Sequence, residues 1–438
     1  MSSLACVAAE VNESTGSAFL IAFQQHAAAM GFFRPIADRL RVKMKAVRYS
    51  VLQKGQTLVA SILLGCPYTS SINHRLVPDS VAAREWGMER FPDQSQVNLF
   101  LNRMTAENVA QLEQAHQELL HSHSLLRSAA QVVVDLDQTG LRVTGKKFEL
   151  AEKGYFPRRR GARGYQLSGA LASAPGCEPE AIASYLDPGN VIGPTRLPDL
   201  LRTTLAIFEQ RHLQLVIRLD AGYGNSHATV DALLEAQVGF VLKWRDSRVA
   251  KKIVREHQLQ WQRHTREVRV AEGPSYLGVR SVICEVKGEL TTLLTNLDRA
   301  PRALFDFYNQ RQTIEAFFKA SKHVFGMANL RSRRFLAIAA FLGFVFLTHN
   351  LLVWTKAALF AGTRLAAAHT RELVDASWWR RSSGRPPSLC GMGARFGSNY
   401  PPSAYSPGSC ARPSVQPRRS SPCPFVFVRN RLCRSAPP

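Results

Sequence analysis

The sequence predicts a mixed α/β protein: a helical N-terminal region, an α/β core interrupted by a strand-rich insertion, and a tail without regular structure. Three observations carry this reading. Apolar residues recur at helical spacing through much of the first 128 residues. At Gln131 the texture changes to short β-branched runs that alternate with helical stretches. After about residue 379 the composition collapses into Pro, Ser, Arg, Gly and Cys with no period.

Within residues 1–128, segments 17–30 and 36–48 read as amphipathic helices, the second carrying Arg39, Arg41, Lys43, Lys45 and Arg48. Residues 57–65 read as an apolar helix, and Pro92 opens another with Asp93 or Ser95 as its cap. Residues 107–130 form the last and longest. Short helices with basic faces suit a DNA-end-binding domain of helix-turn-helix character, and they suit a plain bundle equally. The first part of the core, 129–245, holds the strands "QVVVDLDQTG", "LRVTGKKFEL", "GYQLSGALA", "LQLVIRLD" and "VGFVLKWR", with helices at 197–210 and 226–236. Charged alternating segments across 246–300 predict extra strands inserted into that core. Residues 301–322 read as one helix, followed by apolar helical sequence within the second core part, 301–365. The tail, 366–438, is expected to be mostly disordered.

At 438 residues the chain has room for about two to four domains. Its 56 Lys and Arg against 33 Asp and Glu leave a net charge of +23, which calls for a polyanionic partner, and nucleic acid fits better than an acidic membrane face. Eight cysteines without CxxC pairs point to a reducing cytoplasm, with neither a zinc knuckle nor a disulfide framework. Residues 335–347 are apolar throughout, but Thr348, His349 and Asn350 break the run short of the roughly 20 residues of a membrane span. A buried core helix is expected there. "DAGYGNSH" imitates a dinucleotide fingerprint, yet His227 replaces its third glycine and no acid ends the following strand; a phosphate-binding GxxxxGK[ST] loop is absent from the sequence.

The acids carry the chemistry. Asp135 and Asp137 stand two apart on one predicted strand, so their side chains share a face, and Asp220 ends a second strand. Acids at the carboxyl ends of strands in an α/β sheet sit where ligands bind. Glu315 lies on the predicted 301–322 helix, where Tyr308, Arg311, Glu315 and Lys322 fall at offsets 0, 3, 7 and 14 and return to nearly one face. Two strand-end aspartates and a helix glutamate can converge on Mg²⁺, which takes few carboxylates plus substrate phosphate. A surface salt bridge accounts for Arg311 and Glu315 at i,i+4, but not for Tyr308 and Lys322.

This pattern resembles the Tyr-(2)-Arg-(3)-Glu-(6)-Lys signature of a group of bacterial insertion-sequence transposases of the Asp-Asp-Glu class, matched at every position by "YNQRQTIEAFFKASK". "DLDQTG" resembles their first acidic motif, Asp-x-Thr, and "RLDAGYG" their second, across roughly residues 48–365. The resemblance implies a ribonuclease-H-like core with a β-rich insertion between the second aspartate and the glutamate. It implies metal ligands Asp137, Asp220 and Glu315, with Asp137 preferred over Asp135 because Thr139 follows two residues later. Mg²⁺ is the implied cofactor, with Mn²⁺ as a substitute. Arg311 and Lys322 would hold terminal phosphates, with Tyr308 beside them and Lys319 on the same helix. Arg158, Arg159, Arg160 and Arg163 in "PRRRGARG" would touch the DNA backbone. Trp244 and Trp261 are candidates to stack a flipped base. The expectation is a nucleoid-associated bacterial transposase and endonuclease, working as a homodimer on double-stranded DNA at paired terminal inverted repeats and target DNA. The rivals are a DNA-binding protein or nuclease of the same lineage that no longer transposes and, last, a membrane protein.

Overall fold

The computed structural model describes residues 15, 17–45, 48–156, 159, 161–208, 214–368 and 372–373. The N-terminal helices are α1 (Ala18–Ala29), α2 (Arg34–Arg39), α3 (Val51–Leu63), α4 (Ser70–Arg75), α5 (Ser80–Glu85), α6 (Gln94–Asn102) and α7 (Ala106–His123). Local chemistry sets their starts. Ser50 and Gln53 form a capping box on α3, Asp93 caps α6, and Thr105 with Asn108 closes a second box on α7. Strands β1 (Gln131–Arg142), β2 (Glu152–Lys153), β3 (Arg163–Ser173) and β4 (Glu180–Pro188) follow, then α8 (Leu197–Phe208), β5 (Gln214–Leu219), α9 (His227–Glu235), β6 (Gly239–Trp244) and α10 (Ser247–Glu256). The chain continues through β7 (Gln262–Arg263), β8 (Val268–Glu272), β9 (Arg280–Val286) and β10 (Glu289–Thr295) to α11 (Pro301–Asn309), α12 (Gln312–His323) and α13 (Phe335–Leu359).

One mixed sheet organises these elements, in the order β2-β3-β1-β5-β6-β10-β9-β8-β7, with β4 on the free side of β3. β1 is antiparallel to β3 and parallel to β5, and β5 is parallel to β6. The inserted strands extend this same sheet, because β10 pairs antiparallel with β6 and carries β9 to β7 outward. Alternation along β1 feeds two cores. Val132, Val134 and Leu136 join the large core that also holds the N-terminal helices and α13, whereas Val133 packs with Val216, Leu304 and Phe307 under α11.

Helix α13 is the centre of the large core. Among the described residues it is the one helix long and apolar enough to cross a membrane, but 83% of its most apolar window is buried inside the protein, as expected of a core helix. The polar break in its sequence has a structural cause. Asn350 donates to the Ala181 carbonyl and accepts from the Ala181 amide, both at 2.8 Å, so its amide serves as the missing strand neighbour of β4. His349 meets the Pro179 carbonyl at 2.9 Å.

Several expectations are corrected. The helix expected over 36–48 stops at Arg39, because Leu40 turns extended and Leu40 and Val42 then reach the core at every second residue. The 107–130 helix ends at His123, where Ser124 is extended and caps a short 3-10 turn. β1 does not stop at Gln138–Gly140: β3 pairs with it as far as Arg142↔Gly164, so Leu141 and Arg142 belong to β1 and no separate strand follows. β4 was not foreseen; its "EAIASYLDP" is poor in β-branched residues and depends on β3 and Asn350 for its place. Helix α10 was also missed, although Val249, Ala250, Ile253 and Val254 carry helical spacing and Asp246 caps it. The expected single helix over 301–322 is two, divided at Gln310 and Arg311. There the backbone tightens to three-residue hydrogen bonds, Arg311 to the Tyr308 carbonyl and Ile314 to that of Arg311. The tail expectation beyond residue 373, and Arg158 and Arg160, lie outside the described residues.

Candidate active site

Parallel pairing of β1 with β5 ends at Leu136↔Leu219, so Asp137 and Asp220 are the next residue on each strand, side by side where the pairing opens. Across the antiparallel side, Asp137 pairs with Gly169. A Cβ on Gly169 would come within 2.9 Å of the Phe318 ring and 3.4 Å of Phe346. Its absence lets Phe318 of α12 lie on the sheet, which brings the first turn of α12, with Glu315, over the strand ends. A second glycine shapes the far side of the site: a Cβ on Gly224 would stand 2.0 Å from the Lys243 carbonyl, so "DAGYG" folds back onto β6, with the Arg245 amide donating to Gly224 at 2.7 Å. That close approach, not a dinucleotide, is what the glycine serves.

Arg311 gathers the three acids. Its Nη2 lies 2.8 Å from Asp137 Oδ1 and 4.0 Å from Asp220 Oδ2, and its Nη1 donates to Glu315 Oε1 at 3.2 Å. The acids grade from interior to solvent: the side chain of Asp137 is 13% exposed, Asp220 37% and Glu315 61%, against 7% for Arg311. Burial pushes the Asp137 carboxyl up to about 6, with the charges of Asp220 and Glu315 adding to the rise and Arg311 and the Gln138 amide opposing it. Three carboxylates thus face a single guanidinium, with anionic charge in excess.

This donor set fits a hard divalent cation in type and charge, since all of its ligand atoms are carboxylate oxygens. As the side chains stand, no three His, Cys, Asp or Glu among the described residues are close enough to share an ion, because the guanidinium lies between the acids. Arg311 also keeps two buried nitrogens, Nε and Nη2, without a hydrogen-bond partner of good geometry among the described residues. Nη2 is held there by charge, in the ion pair with Asp137, and not by a well-aligned hydrogen bond.

Residues 13–374 match the family described as Transposase DDE domain group 1. The chain belongs to that family. It is a DNA transposase, an enzyme acting on DNA. No curated protein matches the chain.

In the transposase, the other expected site residues fall unevenly around the acids. Lys322 is half-buried, its Nζ donating to Thr139 Oγ1 at 2.6 Å and to the Gly140 carbonyl at 3.1 Å, so it ties α12 to β1. Burial lowers its pKa, against the opposing charge of Asp137. Tyr308 stands at the end of α11, its phenol pushed above the ordinary value by burial, with Arg311 opposing. Lys319 is exposed one turn from Glu315. Arg159 is exposed, whereas the Arg163 guanidinium is turned to the Ala151 carbonyl at 2.6 and 3.0 Å. The base-stacking role suggested for Trp244 is corrected: it is 7% exposed, with His227 and Tyr276 in T-shaped contact, and is buried in the core instead of being presented to a base. Trp261 lies under Arg269 at 4.3 Å.

Two residues of the site were not anticipated. Arg218 binds both oxygens of Asp135, at 2.7 and 2.8 Å, which commits that carboxylate and separates it from Asp137 in role. The signal was present as an arginine in the apolar strand "LQLVIRLD". Tyr223 is fully buried beside the aspartates; burial and the charges of Asp137 and Asp220 raise its phenol pKa.

Proposed function

We propose that the transposase cuts DNA at the ends of a bacterial insertion sequence and joins them to target DNA, using Mg²⁺ held by Asp137, Asp220 and Glu315. The observation that carries this is the meeting of three carboxylates, from β1, β5 and α12, on one cation, Arg311. The strand order supports a ribonuclease-H-like core: β1 stands between antiparallel β3 and parallel β5, and the insertion continues the sheet beyond β6 before the chain returns to Glu315. The helical N-terminal region, 1–128, and the strand-rich insertion, 246–300, are part of this reading as the end-binding and inserted segments of one body. When bound, paired divalent ions supply activation of the attacking oxygen and stabilisation of the leaving one.

The chain's own residues do the rest. Glu315, in the first turn of α12, is the most exposed of the three acids and stands on the solvent side of the site. Arg311 offsets part of the carboxylate charge in the free protein, and its planar guanidinium suits a grip on a DNA phosphate once metal takes over the acids. Lys322 holds α12 to β1 and presents a point charge beside Asp137, with Tyr308 and Lys319 flanking the strand path. Arg158, Arg159 and Arg160 precede β3 and Arg163 opens it, and this basic run adds phosphate contacts. Two copies of the chain would pair the two ends. The test is nicking of the cognate terminal repeats with Mg²⁺ and then with EDTA: single-strand breaks at the ends with Mg²⁺ alone support the reading, and cutting that persists in EDTA refutes it.

A further inference from the structure

Asp135 and Arg218 form a buried ion pair two residues upstream of two of the three acids, and they are cross-strand partners in the register of β1 and β5. Their side chains are 1% and 3% exposed. Arg218 uses its whole fork: Nε and Nη2 go to the Asp135 oxygens, and Nη1 donates to the Phe307 carbonyl at 2.5 Å. Its guanidinium also lies 5.0 Å from the Phe307 ring. Phe307 sits in the last turn of α11, one residue before Tyr308 and four before Arg311. One buried cation therefore binds the strand that carries Asp137, the strand that leads into Asp220, and the helix that leads to Arg311 and Glu315.

We infer that Asp135 and Arg218 are positioning residues that set the spacing of the three acids for the metal. The inference rests on the proposed metal site and goes beyond it. A buried ion pair is a poor device for stability, since apolar residues of similar volume commonly serve as well or better. Its fork geometry fixes distance and angle between the strands in a way that an apolar contact does not. Side chains behind metal ligands tune affinity in this manner, and their loss typically weakens metal binding about 10–100-fold.

The test measures Mn²⁺ binding to the full chain mixed with a short DNA duplex, by loss of the free-ion electron paramagnetic resonance signal. The proteins compared are wild type, Asp220→Asn, Asp135→Leu with Arg218→Met, and Asp135→Asn; thermal melting of each reports folding. The expected result is a double variant that melts at or above the wild-type temperature yet binds the site-specific Mn²⁺ at least tenfold more weakly. A double variant that folds and keeps wild-type Mn²⁺ affinity overturns the inference. If it does not fold, Asp135→Asn decides by the same criterion. Asp220→Asn separates the two claims: if it binds Mn²⁺ as wild type does, the metal site itself is misassigned, whereas its loss with unchanged positioning variants sinks only the role of Asp135 and Arg218.

Discussion

Replacing Asp137 with Asn should make the metal-free transposase more stable while abolishing its activity. The carboxyl rises from its ordinary 3.8 to about 6 because burial and two neighbouring acids oppose its charge more than Arg311 supports it. At about 1.4 kcal/mol per pH unit, holding it ionised in the folded state costs about 3 kcal/mol. The sign follows from proton linkage. Below about 3.8 both folded and unfolded chains are protonated there, and the group contributes nothing. Between 3.8 and about 6 the folded protein keeps the proton that the unfolded chain has lost, so stability falls as pH rises. Above about 6 the whole cost is present. Asn keeps the shape and can still accept the Gln138 amide bond of 2.9 Å, but carries no charge. In EDTA at pH 8, Asp137→Asn should therefore melt roughly 3–6 °C higher than wild type, given about 1–2 °C per kcal/mol for a chain of this size. The gap should narrow as pH falls through 6 and on towards 4. Scanning fluorimetry across that range, with and without Mg²⁺, measures it; added Mg²⁺ should raise wild type and leave the variant unmoved. A variant that melts below wild type in EDTA at pH 8 would show that the Arg311 ion pair outweighs burial, and the reasoning would fail.

Further outcomes follow from the same geometry. Gly169→Ala, whose Cβ meets the Phe318 ring at 2.9 Å, should displace α12 and lower the cleavage rate at least tenfold with a small effect on DNA affinity, read by cleavage and gel-shift assays side by side. Lys322→Ala and Arg311→Ala should weaken capture of the DNA ends, each lowering the salt slope of binding by about 0.9 if it loses one phosphate contact; unchanged slopes would remove them from the DNA path. Affinity of the full chain for non-specific duplex should fall steeply with salt in line with its net charge of +23, and a flat dependence would detach that surplus from DNA.

Much of the site was readable because its chemistry is local in sequence. Asp137 and Asp220 were placed by the apolar strand runs that lead into them, although β1 continues to Arg142, and Glu315 by its spacing to Arg311. The route to Glu315 was read less well. A continuous 301–322 helix would have put Tyr308, Arg311, Glu315 and Lys322 on one face; in the fold the helix breaks at Arg311, and the residues stay together because Arg311 turns to the acids while Lys322 reaches Thr139. Period alone cannot report the three-residue hydrogen bonds at Arg311 that divide the helix. β4 escaped for a related reason, since its place depends on Asn350, 169 residues away from Ala181. In the sequence Asp135 stands out only as a rival to Asp137 and Arg218 as an arginine in an apolar strand, and only the parallel register makes them a pair.

The central claim is that Glu315 completes a metal site with Asp137 and Asp220, and Glu315→Gln tests it most directly. Gln keeps the length and hydrogen bonding of the side chain but removes the charge that a divalent ion needs. Cleavage of terminal-repeat DNA in Mg²⁺ and gel-shift binding to the same DNA should be measured on one preparation. The account predicts cleavage reduced to background with end binding nearly intact; Glu315→Gln cutting at the wild-type rate would contradict it.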